Sequence, residues 1–254
     1  MTRTDASLLL RLPWAERSTL RDVLREHPLV YLPTPGLEPG GVMDLAESIG
    51  LPELPLRVGY RLEHEPRLMR FGNLRDGDGR KLGASALRVG WHADATYRSR
   101  PPHVSLLYCH RTPPEGGQTQ FCSLFRLLEE FDASERASWR DLQIEHEATS
   151  DYFDRYEDRV CTRPLIWRHP ESGRELVQAS PAYAVRIVGW PEERSRALLD
   201  RLAAACDPPD HVHSWHRGDL LVWDNQALLH RASPYDEAHP REMWRAQVFL
   251  HGRD

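Results

Sequence analysis

Pro240-Arg241-Glu242-Met243-Trp244-Arg245-Ala246-Gln247-Val248-Phe249-Leu250 is the stretch that decides the fold. From Arg241 onward it alternates: Arg241, Met243, Arg245, Gln247 and Phe249 fall on one face, Trp244, Ala246, Val248 and Leu250 on the other. Residues two apart share a face of an extended chain. A helix would also bring Arg241 and Arg245 together, but the apolar and aromatic content and the preceding proline favour a strand. Two guanidiniums on the inward face of a sheet are costly unless an anion meets them. A dicarboxylate ligand would meet that need; the competing solution is a carboxylate of the protein itself.

Other short runs broken by proline and glycine read the same way. Strands are expected at Leu29 to Leu32, Met69 to Gly72, Val104 to Cys109, Gln118 to Cys122, Gln143 to Glu147, Leu165 to Arg168, Glu175 to Gln178 and Asp219 to Trp223. Helices are expected at Ser18 to Glu26, Val42 to Ile49 and Pro191 to Cys206, the last with Leu198, Leu202 and Ala205 or Cys206 on one stripe. Many short strands with irregular connections favour a jelly-roll or barrel over a doubly wound sheet. We expect a mainly β chain with flanking helices, forming one domain over residues 1–254.

Composition narrows the function. The formal net charge is −5 and no basic run occurs, which argues against nucleic acid and membrane surfaces as partners. Met1 to Leu12 holds too short an apolar run for a secretory leader or a span, so a cytoplasmic location is expected. Cys109, Cys122, Cys161 and Cys206 form no Cys-x-x-Cys pair and read as buried, reduced thiols. The polar, glycine-rich stretch between Leu74 and Gly90 suits a mobile loop over a pocket or a plain surface loop.

Trp91-His92-Ala93-Asp94 follows that stretch. One His-x-Asp among 13 histidines is weak evidence alone, but a strand could present His92 and Asp94 to one metal, with a third ligand from another strand. His230, downstream of Gly218-Asp219-Leu220-Leu221-Val222-Trp223-Asp224-Asn225, is the candidate for it. Two neutral imidazoles and one carboxylate suit a ferrous ion with open coordination positions, unlike a closed structural zinc site. A rival group, His211-Val212-His213 with His216, reads as incidental surface histidines, and Arg98-Ser99-Arg100 as a solvated charge pair. Trp91, Trp215 and Trp223 read as core or pocket wall.

The chain resembles the TauD/TfdA (taurine dioxygenase-like) family of Fe(II)/2-oxoglutarate-dependent oxygenases from about Pro28 to Leu250. The stretches carrying the resemblance are Trp91-His92-Ala93-Asp94, Pro113-Pro114-Glu115-Gly116-Gly117-Gln118-Thr119, Arg168-His169-Pro170-Glu171-Ser172-Gly173-Arg174, Gly218 to Asn225, and His230 with Arg241 and Arg245. The resemblance implies a double-stranded β-helix (jelly-roll, cupin-like). It implies Fe(II) on His92, Asp94 and His230, and 2-oxoglutarate held at its distal carboxylate by Arg241 with help from Thr119. Arg245 would support the inner carboxylate of that co-substrate or an acidic group of the substrate.

The implied reaction uses O2 to oxidise an unactivated C–H bond of a small organic molecule, releasing succinate and CO2. Because Asp94 is retained, hydroxylation, desaturation or cyclisation is favoured over halogenation. The expected partner is a small-molecule substrate, anionic if Arg245 faces it; a homo-oligomer is compatible with the sequence. Three features depart from the family pattern: Gln226 where arginine often follows Asp-Asn, Arg163-Pro164 where His-Pro is frequent, and the stretch from Leu176 to Tyr183. The alternative reading is a non-catalytic jelly-roll that binds a metal or small molecule, which would be expected to have lost a ligand or the carboxylate clamp.

Overall fold

In the computed structural model, which describes residues 8–85, 89–148 and 158–250, the alternating C-terminal run forms the strand Glu242–Phe249. Trp244, Ala246 and Val248 point into a buried core, whereas Arg245, Gln247 and Phe249 on the opposite face are less covered, as the alternation requires. Arg241 lies just before the strand, and the register slips between Glu242 and Met243. The expectation that both arginines stand on one continuous strand is corrected accordingly, because this irregularity interrupts the two-residue repeat.

Glu242–Phe249 belongs to a seven-stranded sheet ordered Leu9–Arg11, Leu29–Pro33, Asp219–Asp224, Val104–Arg111, Glu242–Phe249 and Leu51–Pro52, with Met69–Gly72 also paired to Glu242–Phe249. A smaller antiparallel sheet centres on Thr119–Ser123, flanked by His211–His213 and Leu228–Ala232. The fully buried strand Asp219–Asp224 serves two cores. Leu221 and Trp223 meet Phe121 and Leu228 of the smaller sheet. Leu220 and Val222 pack instead with residues of the helices Leu20–Glu26 and Pro39–Ile49. Each fully buried leucine, valine or isoleucine in these layers stabilises the fold by roughly 1.5–3 kcal/mol.

A third core gathers the helices Leu124–Glu129 and Glu192–Ala205 around Cys122, Leu176 and Leu229. The result is the mainly β jelly-roll with flanking helices that the sequence implied. The helix expected from Val42 begins at Pro39, since proline is well tolerated in a first turn. Of the stretch expected as helix from Ser18, Ser18 and Thr19 end the 3-10 helix Trp14–Thr19, which runs into the α-helix Leu20–Glu26. Cys109, Cys122 and Cys206 are buried and free, whereas Cys161 is only partly covered. None of the described helices is long and apolar enough to cross a membrane.

Candidate metal centre and anion pocket

His230 sits in the middle of Leu228–Ala232, opposite Phe121, with its ring 5.0 Å from that of Trp223. Its backbone forms an isolated antiparallel bridge with His92: His92 N donates to His230 O at 3.1 Å, and His230 N donates to His92 O at 2.8 Å. Directly opposed residues in such a bridge bring their side chains together, and the two imidazole centroids are 4.2 Å apart. The chain then turns instead of continuing as a strand, with Ala95 at φ +56°. The expected strand carrying both His92 and Asp94 is therefore corrected: extended backbone ends at the bridge, and a turn delivers the carboxylate.

Ligand atoms of His92, Asp94 and His230 all lie within 4.8 Å of one another, and all three residues are buried. Among the described residues this is the one group able to hold a metal ion. His92 Nδ1 is 2.9 Å from Gly90 O, so that nitrogen carries the proton and Nε2 keeps its lone pair for a metal. His230 Nδ1 is buried without a hydrogen-bond partner. Burial pushes both imidazoles below the usual histidine range, His230 to about 3, so both are neutral ligands at physiological pH.

Asp94 is held from several sides. Burial alone would raise its pKa, but the Arg245 guanidinium, the two imidazoles and the Ser105 hydroxyl bring it down to about 2. Ser105 Oγ donates to Asp94 Oδ2 at 2.8 Å, and Arg245 Nη1 donates to Oδ1 at 2.6 Å. Its backbone is clamped by Asn225, which accepts from Asp94 N at 2.7 Å and donates to Asp94 O at 2.9 Å. Ala93 N donates to Ser180 Oγ at 3.1 Å. Ionised carboxylate, neutral imidazoles and an unpartnered ring nitrogen fit a hard-to-borderline divalent ion such as Fe(II).

Arg241 is 4% exposed, and its Nε has no hydrogen-bond partner. Nη2 donates to Gly117 O at 3.3 Å, and the guanidinium lies 5.6 Å from the Tyr235 ring centre. Burial pushes its pKa below the ordinary arginine value. Glycines make room for this residue: a Cβ on Gly72 would fall 1.9 Å from its backbone oxygen, and one on Gly117 would fall 3.3 Å from its side-chain Nε. Thr119 Oγ1 accepts from Trp215 Nε1 at 3.0 Å, leaving its own proton to donate. A buried cation with an unsatisfied N–H fits an anionic group such as a carboxylate.

Arg245 answers differently. It pairs with Asp94, so for this arginine the protein's own carboxylate is the partner, as the competing reading allowed. Its guanidinium also lies 4.5 Å from the Phe71 ring centre, and its Nε is unpartnered. A cavity of about 540 Å³ opens beside His92, Asp94 and Arg245, walled in part by Phe71, Tyr97 and Tyr183. From the loop between Leu74 and Gly90, Ala84, Ser85 and Val89 line it, while residues 86–88 lie outside the described set. The N-terminal stretch read as lacking a leader is likewise outside it for residues 1–7.

Two incidental readings need correction. His213 is buried and 3.2 Å from Asp219 Oδ2, which also accepts from His216 N, while Tyr31 donates to Oδ1 at 2.8 Å. Only His216 of the rival group is a surface histidine. Arg98 is no solvated charge: it pairs with Glu53 at 2.5 Å on the cavity rim. Sequence reasoning assigned no role to Ser105, Asn225, Ser180, Tyr97 or Tyr183. Of these only Asn225 carried a signal, within the Asp224-Asn225 motif.

A family model described as "Taurine catabolism dioxygenase TauD, TfdA family" matches residues 5–247. The chain is 32% identical over 217 residues to pentalenolactone F synthase of Streptomyces arenae, covering 76% of this chain and 72% of that protein. It is 32% identical over 178 residues to (S)-phenoxypropionate/alpha-ketoglutarate-dioxygenase of Sphingobium herbicidovorans, covering 63% and 62%. Its fold matches the crystal structure of a taurine dioxygenase from Burkholderia xenovorans with a TM-score of 0.81 at 25% identity, over 98% of this chain and 88% of that one. With a family match over nearly its whole length and a jelly-roll carrying the His92, Asp94 and His230 cluster, the chain belongs to the TauD/TfdA dioxygenase family.

Proposed function

We propose that the chain is a single-domain Fe(II)- and 2-oxoglutarate-dependent dioxygenase that oxidises a C–H bond of a small organic anion. The observation that carries this reading is the convergence of His92, Asp94 and His230 within 4.8 Å in a buried site, beside a large cavity. The three residues would hold the ferrous ion on one face, leaving positions for 2-oxoglutarate and O2. Bound there, the metal would supply the chemistry by which O2 converts 2-oxoglutarate to succinate and CO2 and oxidises the substrate carbon, by hydroxylation or by desaturation or cyclisation.

The protein's own contribution is binding and exclusion of water. Arg241, its charge buried and its Nε unsatisfied, takes the distal carboxylate of 2-oxoglutarate, and the Thr119 hydroxyl donates a second hydrogen bond there. Arg245 stands on the wall of the cavity with a free Nε, which supports an acidic group on the substrate or the inner carboxylate of 2-oxoglutarate. A cavity of about 540 Å³ falls in the range that takes ligands of drug-like size. Its Phe71, Tyr97 and Tyr183 walls favour an apolar body attached to that acidic group.

The test is direct. Anaerobic addition of 2-oxoglutarate to the Fe(II)-loaded protein is expected to produce a visible charge-transfer band, and admission of air is expected to release succinate. No band and no succinate under these conditions would overturn the proposal.

A further inference from the structure

The segment from Trp91 to Tyr97 is a partition between two hollows. His92, Asp94, Ala95 and Tyr97 line the cavity beside the triad, whereas Ala93 and Thr96 line a separate one of about 110 Å³. That second cavity is walled largely by apolar surface, including Leu124, Trp167 and Pro101. Into it point three groups whose polar atoms are buried without hydrogen-bond partners: both ring nitrogens of His146, Oε1 of Gln178 and Oγ1 of Thr96. His146 is 1% exposed. A buried polar atom left unmatched is destabilising, so a cluster of them around one hollow asks for a polar occupant.

The chemistry of the lining restricts the occupant's charge. Arg163 is the one charged side chain among the described lining residues, and it is turned onto backbone carbonyls: Nε donates to Thr96 O at 3.5 Å, and Nη2 to Arg98 O and to Ser99 O, the latter at 3.3 Å. Among the described residues no carboxylate lines the hollow. Burial, reinforced by the Arg163 charge, pushes the His146 pKa down to about 3, so the ring is neutral and offers one N–H and one lone pair. Gln178 Oε1 adds an acceptor, and the Thr96 hydroxyl can donate or accept. The required complement is one donor and one acceptor on an uncharged molecule.

Size sets a second limit. An apolar cavity of about 150 Å³ takes up benzene, so this smaller one suits a single small ring or a short amide. We propose that the hollow bounded by His146, Gln178 and Thr96 is a second binding site, for an uncharged carboxamide or lactam whose N–H and C=O satisfy these side chains. Each of the three departures from the family pattern meets here, since Gln226, Arg163 with Pro164, and Gln178 with Ala179 and Ser180 all line it. The exposed Pro164 marks its solvent side.

The experiment uses the full-length protein labelled with ¹⁵N-histidine and titrated with 2-pyridone, a small lactam, and with benzene as an apolar ring of similar size. The expected result is a saturable shift of the His146 ring nitrogens with 2-pyridone and a weaker response to benzene. Gln178→Leu should weaken 2-pyridone binding about fivefold, the loss of one net hydrogen bond, while leaving 2-oxoglutarate affinity unchanged. His146→Phe identifies the signals and should abolish binding; should that variant fail to fold, Gln178→Leu carries the test. A shift that does not saturate, an equal response to benzene, or unchanged binding in Gln178→Leu would each overturn the proposal.

Discussion

Arg245 Nη1 donates to Asp94 Oδ1 at 2.6 Å, tying the strand Glu242–Phe249 to the turn that carries the carboxylate. Both partners are largely shielded from water, so the pair works in a medium where an unmatched charge is expensive. Removing the cation should therefore be felt most when no metal is present to neutralise Asp94. Arg245→Leu is expected to destabilise the metal-free protein by about 3–5 kcal/mol, with part of the loss recovered on adding Mn(II). Equilibrium denaturation with and without the ion checks this; equal stability of variant and parent without metal would show that the pair matters little.

Asp94→Ala or His92→Ala removes a ligand rather than a supporting group. Either variant is expected to show no metal-dependent 2-oxoglutarate turnover while keeping the parent's circular dichroism spectrum. Succinate release at the parent's rate from either would take that residue out of the centre.

Asn225 acts on the same carboxylate through the backbone, gripping both the N–H and the C=O of Asp94 while donating to Pro102 O at 3.0 Å. Asn225→Ala should let the turn relax and lower metal affinity by about 10- to 100-fold, the usual effect of losing a group that orients a ligand. Calorimetric titration with Co(II) measures it, and an unchanged affinity would assign Asn225 to packing alone.

Arg241→Ala should leave metal binding intact and weaken 2-oxoglutarate, by about 2–5 kcal/mol, as expected for one partner of a desolvated charge pair. The dissociation constant read from the charge-transfer band decides it. An unaltered constant would mean that another group holds the distal carboxylate.

Acid should destabilise the metal-free protein well before its carboxylates titrate. His146 is held neutral, with its pKa pushed from 6.5 to about 3 by burial and the Arg163 charge. The unfolded chain therefore binds a proton between those values that the folded chain refuses, and stability falls as pH drops below 6.5. At pH 5 the loss from this histidine is about 2 kcal/mol. Asp94, whose pKa is lowered to about 2, adds a loss only between its unfolded value and that limit. Chemical denaturation from pH 7 to 5 checks the slope, and His146→Phe should flatten it by about one proton.

Much of this is legible in the sequence. Alternation marked Trp244, Ala246 and Val248 as core and Arg245 as the opposite face, and the helix from Pro191 to Cys206 lost only its capping residues. What alternation gives is a face, never the partner on it. Arg245 and Asp94 are 151 residues apart, so nothing local distinguished an arginine awaiting a ligand from one already paired. The strand carrying His230 was expected, but its bounds, Leu228–Ala232, were hidden because its five residues pair with Thr119–Ser123, more than a hundred positions earlier. The helix Ala133–Ser138 did carry a local sign: Asp132 caps it, accepting from Ser134 N and Glu135 N. The buried role of His213 was hidden, since burial depends on tertiary packing rather than on neighbours in sequence.

The bridge between His92 and His230 also limits where insertions can be accommodated. Upstream of Gly90 the chain runs through a surface turn, where Asp76 caps its own loop and added residues would only lengthen an arc already outside the sheets. From His92 to Asp94 there is no such slack. One inserted residue would slide the imidazole off its cross-strand neighbour and rotate every following side chain to the wrong wall of the partition. Relatives should therefore vary in length ahead of this triplet and hold its spacing fixed.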